Sequence, residues 1–95
     1  LLSKSKFDES KKENDMQEPT AKIVFDTGGF SKAIVVPVPM GEGYHLHLVR
    51  FGRNGGSEII ERQRGGYRVF KSTDAAISTA HAIGFKRIET DLSSL

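Results

Sequence analysis

The density of arginine between Arg50 and Lys71 is the chemical feature of this chain that folding alone leaves unexplained. Arg50, Arg53, Arg62, Arg64, Arg68 and Lys71 stand there, opposed only by Glu58 and Glu61. Five of the six cations are arginine, whose planar fork of donors suits phosphate oxygens and guanine edges. On a two-stranded ribbon, parity separates Arg62 from Glu61, and Arg68 from Tyr67 and Val69. One face of such a hairpin is then apolar and the other cationic. A ribbon of this kind fits a major groove, and Arg53 and Arg64 at loop tips reach phosphates.

Other candidate chemistry is thinner. His45 and His47 are two apart, so on a strand their rings point the same way, a spacing that can bind zinc, and His81 on a later helix could approach them. A mononuclear site needs three or four placed ligands, and no carboxylate pattern completes one. Structural histidines, and no metal, are the expectation. Gly28-Gly29, Gly55-Gly56 and Gly65-Gly66 fit neither the dinucleotide fingerprint nor the phosphate loop, and each falls where a turn is needed. Glu58 and Glu61 point to opposite sides of a strand, so they cannot flank one bond. No local signature organises a nucleophile, and a domain of this size has little room for a lined pocket. The expectation is a non-enzymatic protein without a cofactor.

The elements that must position these residues follow from pattern. Residues 1–20 read as a flexible charged leader: nine of them are charged, and Pro19 closes the stretch. Residues 21–95 then form a single α+β domain. Lys22 to Asp26 alternates like a strand, with Ile23 and Phe25 on one face, before Thr27-Gly28-Gly29. Lys32 to Val38 is a second strand, with Ile34, Val36 and Val38 on one face. Pro37 and Pro39 lack N–H groups, so that strand lies at a sheet edge or leaves the sheet there. Tyr44 to Phe51 alternates Tyr44-Leu46-Leu48 against His45-His47-Val49-Phe51. Gly52-Arg53-Asn54-Gly55-Gly56 is a turn, followed by strands over Glu58 to Gln63 and Tyr67 to Lys71 around Arg64-Gly65-Gly66.

The period then switches to helical. Ser72 or Thr73 caps a helix with Asp74 in its first turn, and Ala76, Ile77, Ala80 and Ile83 form its apolar stripe. Gly84 ends the helix, Phe85 folds back onto the core, and Ala75, Ala76, Ala80 and Ala82 suit close seating on a sheet. Lys86 to Leu92 makes a short closing strand with Ile88 and Leu92 inward. The predicted architecture is an antiparallel meander of about five strands, one helix packed on one face, and a short C-terminal strand.

Composition bounds the partners. The formal charge of +2 is uneven: residues 1–20 carry four lysines against five carboxylates, and residues 21–95 carry ten basic and seven acidic side chains. Such a balance is compatible with nucleic acid without demanding it. The absence of cysteine excludes a disulfide framework, a thiolate zinc site and a cysteine nucleophile. The longest apolar stretch, Ala33 to Met40, contains two prolines and is far too short to span a membrane. No signal-peptide pattern opens the chain, so a cytoplasmic protein is expected. Because the first residue is Leu1 rather than methionine, a fragment or processed product is also expected.

The stretch Arg64-Gly65-Gly66-Tyr67-Arg68-Val69-Phe70-Lys71-Ser72-Thr73-Asp74-Ala75-Ala76, continuing through Ala80 to Ile83-Gly84-Phe85, resembles the C-terminal module of small accessory proteins of plasmids and integrative elements. In these an Arg-Gly turn, a short strand, a Phe-Lys-Ser/Thr step and an alanine-rich helix ending in Ile-Gly recur, alongside partition, replication and stability genes. The same strand-then-helix step is similar to the three-stranded DNA-binding domains attached to tyrosine recombinases, although the extra strands here depart from that pattern. Both resemblances imply mobile-element DNA. The leading reading is thus a non-catalytic accessory protein of a mobile element that binds nucleic acid, DNA rather than RNA, through the arginine-rich hairpin. The alternative is a protein-interaction module in which the edge strand Ala33 to Val38 forms a homodimer or accepts a partner strand.

Overall fold

A computed structural model describes residues 16–52 and 56–91. Six elements follow in the order α1 (Glu18–Asp26), β1 (Phe30–Pro37), β2 (Tyr44–Arg50), β3 (Ser57–Ile59), α2 (Thr73–Ile83) and β4 (Ile88–Thr90). The class is α+β, with two helices and one four-stranded mixed sheet of order β3-β2-β1-β4.

The fold departs from expectation first at its start. Lys22 to Asp26 is helical, and the helix begins at Glu18, so Met16 to Thr20 belong to the folded unit rather than to a leader. The rest of the expected leader, residues 1–15, lies outside the described residues. Proline near the helix start is preorganised for the first turn and sacrifices no intrahelical bond there. Glu18 places a negative charge beside the positive end of the dipole. Ala21, Val24 and Phe25 then follow helical spacing onto the core, while Ile23 is 65% exposed. The Ile23/Phe25 alternation is therefore not the period that burial uses. Thr27 stops the helix, its hydroxyl donating to the Val24 carbonyl at 2.9 Å.

Of the two courses expected for the proline-bearing strand, β1 takes the second and leaves the sheet at Pro37. It is not an edge strand: β2 pairs with it antiparallel on one side, and β4 pairs with it parallel on the other. The prolines are tolerated because Pro37 is its last residue and the Val38 N–H already closes the turn onto the Gly43 carbonyl. A register shift between Phe30 and Lys32 lets Phe30 and Ala33 share the core side despite their odd spacing. Ala33, Val35 and Pro37 are buried, as are Leu46 and Leu48 of β2. Ile34, Val36, His45, His47 and Val49 face the other way, as alternation in the two strands requires.

The closing strand, for which the sequence sets no direction, makes the sheet mixed. β4 is parallel to β1, because α2 carries the chain back across the sheet before β4 begins. Leu92, expected to point inward from this strand, lies outside the described residues. The two hairpin strands are also shorter than expected. The fourth reduces to β3, and the fifth to single bridges joining Glu61 to Tyr67 and Tyr44 to Phe70.

α2 forms as its sequence dictates. Ser72 is extended, and its hydroxyl accepts the Ala75 N–H at 3.1 Å, a cap that contributes about 1 kcal/mol. Ala76, Ala80 and Ile83 are fully buried, whereas Ala75 and Ala82 face solvent. Gly84 ends the helix with φ +129°, and a Cβ there would stand 2.7 Å from the Phe25 ring. Phe85 turns back inward, 4.8 Å from Phe25 and 5.7 Å from Phe30 between ring centroids. One cluster thus joins Ala21 of α1, Ala76, Ala80 and Ile83 of α2, and the inner sheet residues. Both helices cover the same face of the sheet. None of the described elements lies over the other face.

Candidate nucleic-acid interface

After β3 the chain makes a hairpin turn over Arg62 to Gly66. The Arg62 N–H donates to the Gly66 carbonyl at 2.9 Å and the Gly65 N–H to the Arg62 carbonyl at 3.0 Å. Gly65 and Gly66 adopt φ of +94° and +80°, the conformation that suits glycine in such a turn. The chain returns with the Arg68 N–H on the Ile60 carbonyl, and Phe70 exchanges both backbone hydrogen bonds with Tyr44.

Gly43 fixes how closely this return segment approaches. It has φ +97°, and a Cβ there would stand 2.5 Å from Val69 Cγ1 and 2.8 Å from the Phe70 carbonyl oxygen. Gly43→Ala therefore displaces the segment carrying Arg68 and costs on the order of 1–3 kcal/mol. Chemical denaturation measures that loss, and an unchanged stability would show that the segment is not held here.

The six expected cations do not form one patch. Arg50 sits at the far end of β2 from Tyr44, roughly 20 Å away at ~3.4 Å per residue. It is committed to the fold, paired through Nε and Nη2 with Glu58 and placed over the Phe30 ring at 5.3 Å. Arg53 lies outside the described residues. The other four gather at the opposite end of the sheet. Arg68 donates from Nη1 to Glu18 of α1 at 3.1 Å and stacks over Phe70 at 4.8 Å. Arg62 spends its Nε on the Gly65 carbonyl at 3.1 Å, which closes the turn. Among the described residues Arg64 and Lys71 form no ion pair and no side-chain hydrogen bond. Both are exposed.

One further cation joins them that the sequence does not single out. Lys22 of α1 lines, with Arg62 and Arg68, an open groove of about 700 Å³ at the start of that helix. Glu18 and Glu61 line it too, with Gln17, whose side-chain amide donates to the Gln63 carbonyl at 3.2 Å. Like Arg64 and Lys71, Lys22 has no ion pair among the described residues. The groove thus holds three cations against two carboxylates. Arg64 and Lys71 belong to the turn and return segment beside it, where Glu42, adjacent in sequence to Gly43, and Asp74 in the first turn of α2 are the neighbouring carboxylates. Lys22 is distant in sequence from the turn, and no local pattern could place it there.

The open face of the sheet carries the histidines. His45 lies edge-on to Tyr67 at 5.4 Å, and His47 is 6.4 Å from His45. Burial lowers the pKa of both, and for His47 the neighbouring His45 lowers it further. His81 is on α2, across the sheet, so it cannot join them. Among the described residues no three histidines or carboxylates gather to hold a metal ion.

The histidine shifts set a pH dependence. A histidine whose folded pKa is depressed binds fewer protons folded than unfolded, so its stabilisation is complete above ~6.5 and is lost as pH falls toward the folded value. The melting temperature is therefore expected to fall as pH drops below ~6.5, and His45→Gln with His47→Gln flattens that limb. A limb of equal slope in the double variant would contradict the assignment.

Among the described residues no helix is long and apolar enough to cross a membrane. Comparison with protein-family models, with curated proteins and with solved structures found no match to this chain.

Proposed function

We propose that this domain is a non-catalytic nucleic-acid-binding accessory module, and that its contact surface is the basic end formed by Lys22, Arg62, Arg64, Arg68 and Lys71. The observation that carries the reading is the gathering of α1, the Arg62–Gly66 turn and the return segment at one end of the sheet, with Lys22, Arg64 and Lys71 left without intramolecular ion pairs among the described residues. Arg50, by contrast, is neutralised within the fold by Glu58. A cluster in which cations outnumber carboxylates attracts polyanions and releases their counterions.

Arg50 drops out of the contact set, because its guanidinium ties β2 to β3 and covers Phe30. Arg68 and Arg62 position the turn and offer their remaining donors. DNA is preferred to RNA, and a mobile-element context is proposed, on the resemblance of the Arg64–Phe85 stretch. The rival of strand addition at Ala33 to Val38 loses its edge, since that strand pairs on both sides. Titration of the domain with a random-sequence duplex at low and moderate salt tests the proposal. Binding that weakens steeply with salt supports it, and no binding at low salt overturns it.

A further inference from the structure

The basic end continues directly into an unusual strip of the open sheet face. Tyr67 follows the turn glycines and precedes Arg68, so it joins the cationic turn to the sheet. Its side chain is 54% exposed. From there the rings run Tyr67, His45, His47 at 5.4 and 6.4 Å, one after another toward the sheet centre. Register places Val36 beside His45, and Ile34 and Ile59 on either side of His47. Burial favours the neutral form of both imidazoles, and the row is bordered by Ile34, Val36 and Ile59 and, beside His47 and Tyr67, by Ser57 and Glu61.

Building on the proposed nucleic-acid reading, we infer that the Tyr67–His45–His47 row is a stacking platform for the bases of an unpaired DNA strand whose phosphates lie on Arg62 and Arg64. Every base has a π face, and a cationic track beside exposed rings is the arrangement that binds single strands with little sequence preference. A paired duplex keeps its faces stacked inside, so it can use the cations but not the rings. The preference for DNA over RNA is carried over from the proposed function. Charge complementarity sets the direction, with the phosphates at the basic turn and the bases over the neutral rings.

Fluorescence anisotropy with labelled oligothymidylate, oligouridylate and a random-sequence duplex tests this, at one low salt concentration. Tyr67→Ala and His45→Ala each weaken oligothymidylate binding by about 5- to 100-fold, while duplex affinity changes little. Tyr67→Phe retains the ring and restores wild-type affinity. Duplex binding without oligothymidylate binding, or oligothymidylate affinity unmoved by Tyr67→Ala, overturns the platform and leaves the basic end standing. Oligouridylate bound as tightly as oligothymidylate overturns the preference for DNA. Light scattering that shows a dimer, made monomeric by Tyr67→Ala, would assign the face to a second copy and overturn the platform. If neither single strand nor duplex binds, the underlying nucleic-acid reading fails with it.

Discussion

Replacing Lys22, Arg64 and Lys71 together by alanine is expected to lower the affinity for duplex DNA by roughly two to three orders of magnitude at ~0.1 M salt. The fold does not use these three charges: none makes an ion pair among the described residues. Each phosphate neutralised on B-DNA adds ~0.9 to the salt slope, so each cation removed lowers affinity about tenfold at that salt. Exposed substitutions away from such partners change stability by only about 0.5 kcal/mol or less. The variant should therefore melt with the wild type while binding far more weakly. The Arg62, Arg64 and Arg68 triple variant would be less informative. Arg68 holds α1 through Glu18 and covers Phe70, and Arg62 closes the turn, so binding and folding would fail together. Unchanged affinity in the Lys22, Arg64 and Lys71 variant would show that the basic end does not contact the duplex.

The second large effect concerns the core. Phe85→Ala is expected to destabilise the domain by about 3–5 kcal/mol. Phe85 is 1% exposed and is the largest fully buried side chain among the described residues. It sits against Phe25 of α1 and Phe30 of β1, immediately after the glycine that ends α2. Removing the ring opens a cavity where both helices and the sheet meet. A domain of this size holds on the order of 5–10 kcal/mol in total, so the loss takes a large fraction of it. Because α1 carries Lys22 and the partner of Arg68, the basic end loosens as well. Denaturant unfolding reads the effect, and a loss below about 1 kcal/mol would show that α1 does not depend on this contact.

What the sequence reveals depends on whether the signal is local. α2 is legible to its caps, because Ser72, Asp74, the Ala76–Ala80–Ile83 spacing and Gly84 all act within the helix itself. The two faces of β2 are legible for the same reason, since strict alternation separates Leu46 and Leu48 from His45 and His47. α1 is not, because Lys22 to Asp26 fits either period over so few residues. The deciding cues, Pro19 and buried Ala21, lie at the border of a stretch whose charge reads as a leader. The central position of β1 is hidden for another reason. Prolines near a strand end suit an edge equally well, and only the path of α2 brings β4 alongside β1.

The candidate site shows the same division. Arginine density is visible from composition, but its uses are not. Arg50 is consumed by Glu58 and Phe30, contacts that depend on strand register and on an ion pair across β2 and β3. Lys22 reaches the groove only because α1 packs beside the hairpin turn. The arginine-rich hairpin thus narrows to its turn and return segment, joined by one lysine from another element.

The salt dependence of duplex binding by the unmodified domain counts the phosphates held at the basic end. A basic end in which three to five cations neutralise phosphates predicts a plot of log K against log salt with a slope of about −2.5 to −4.5. A slope near zero, or no binding at ~50 mM salt, would contradict it.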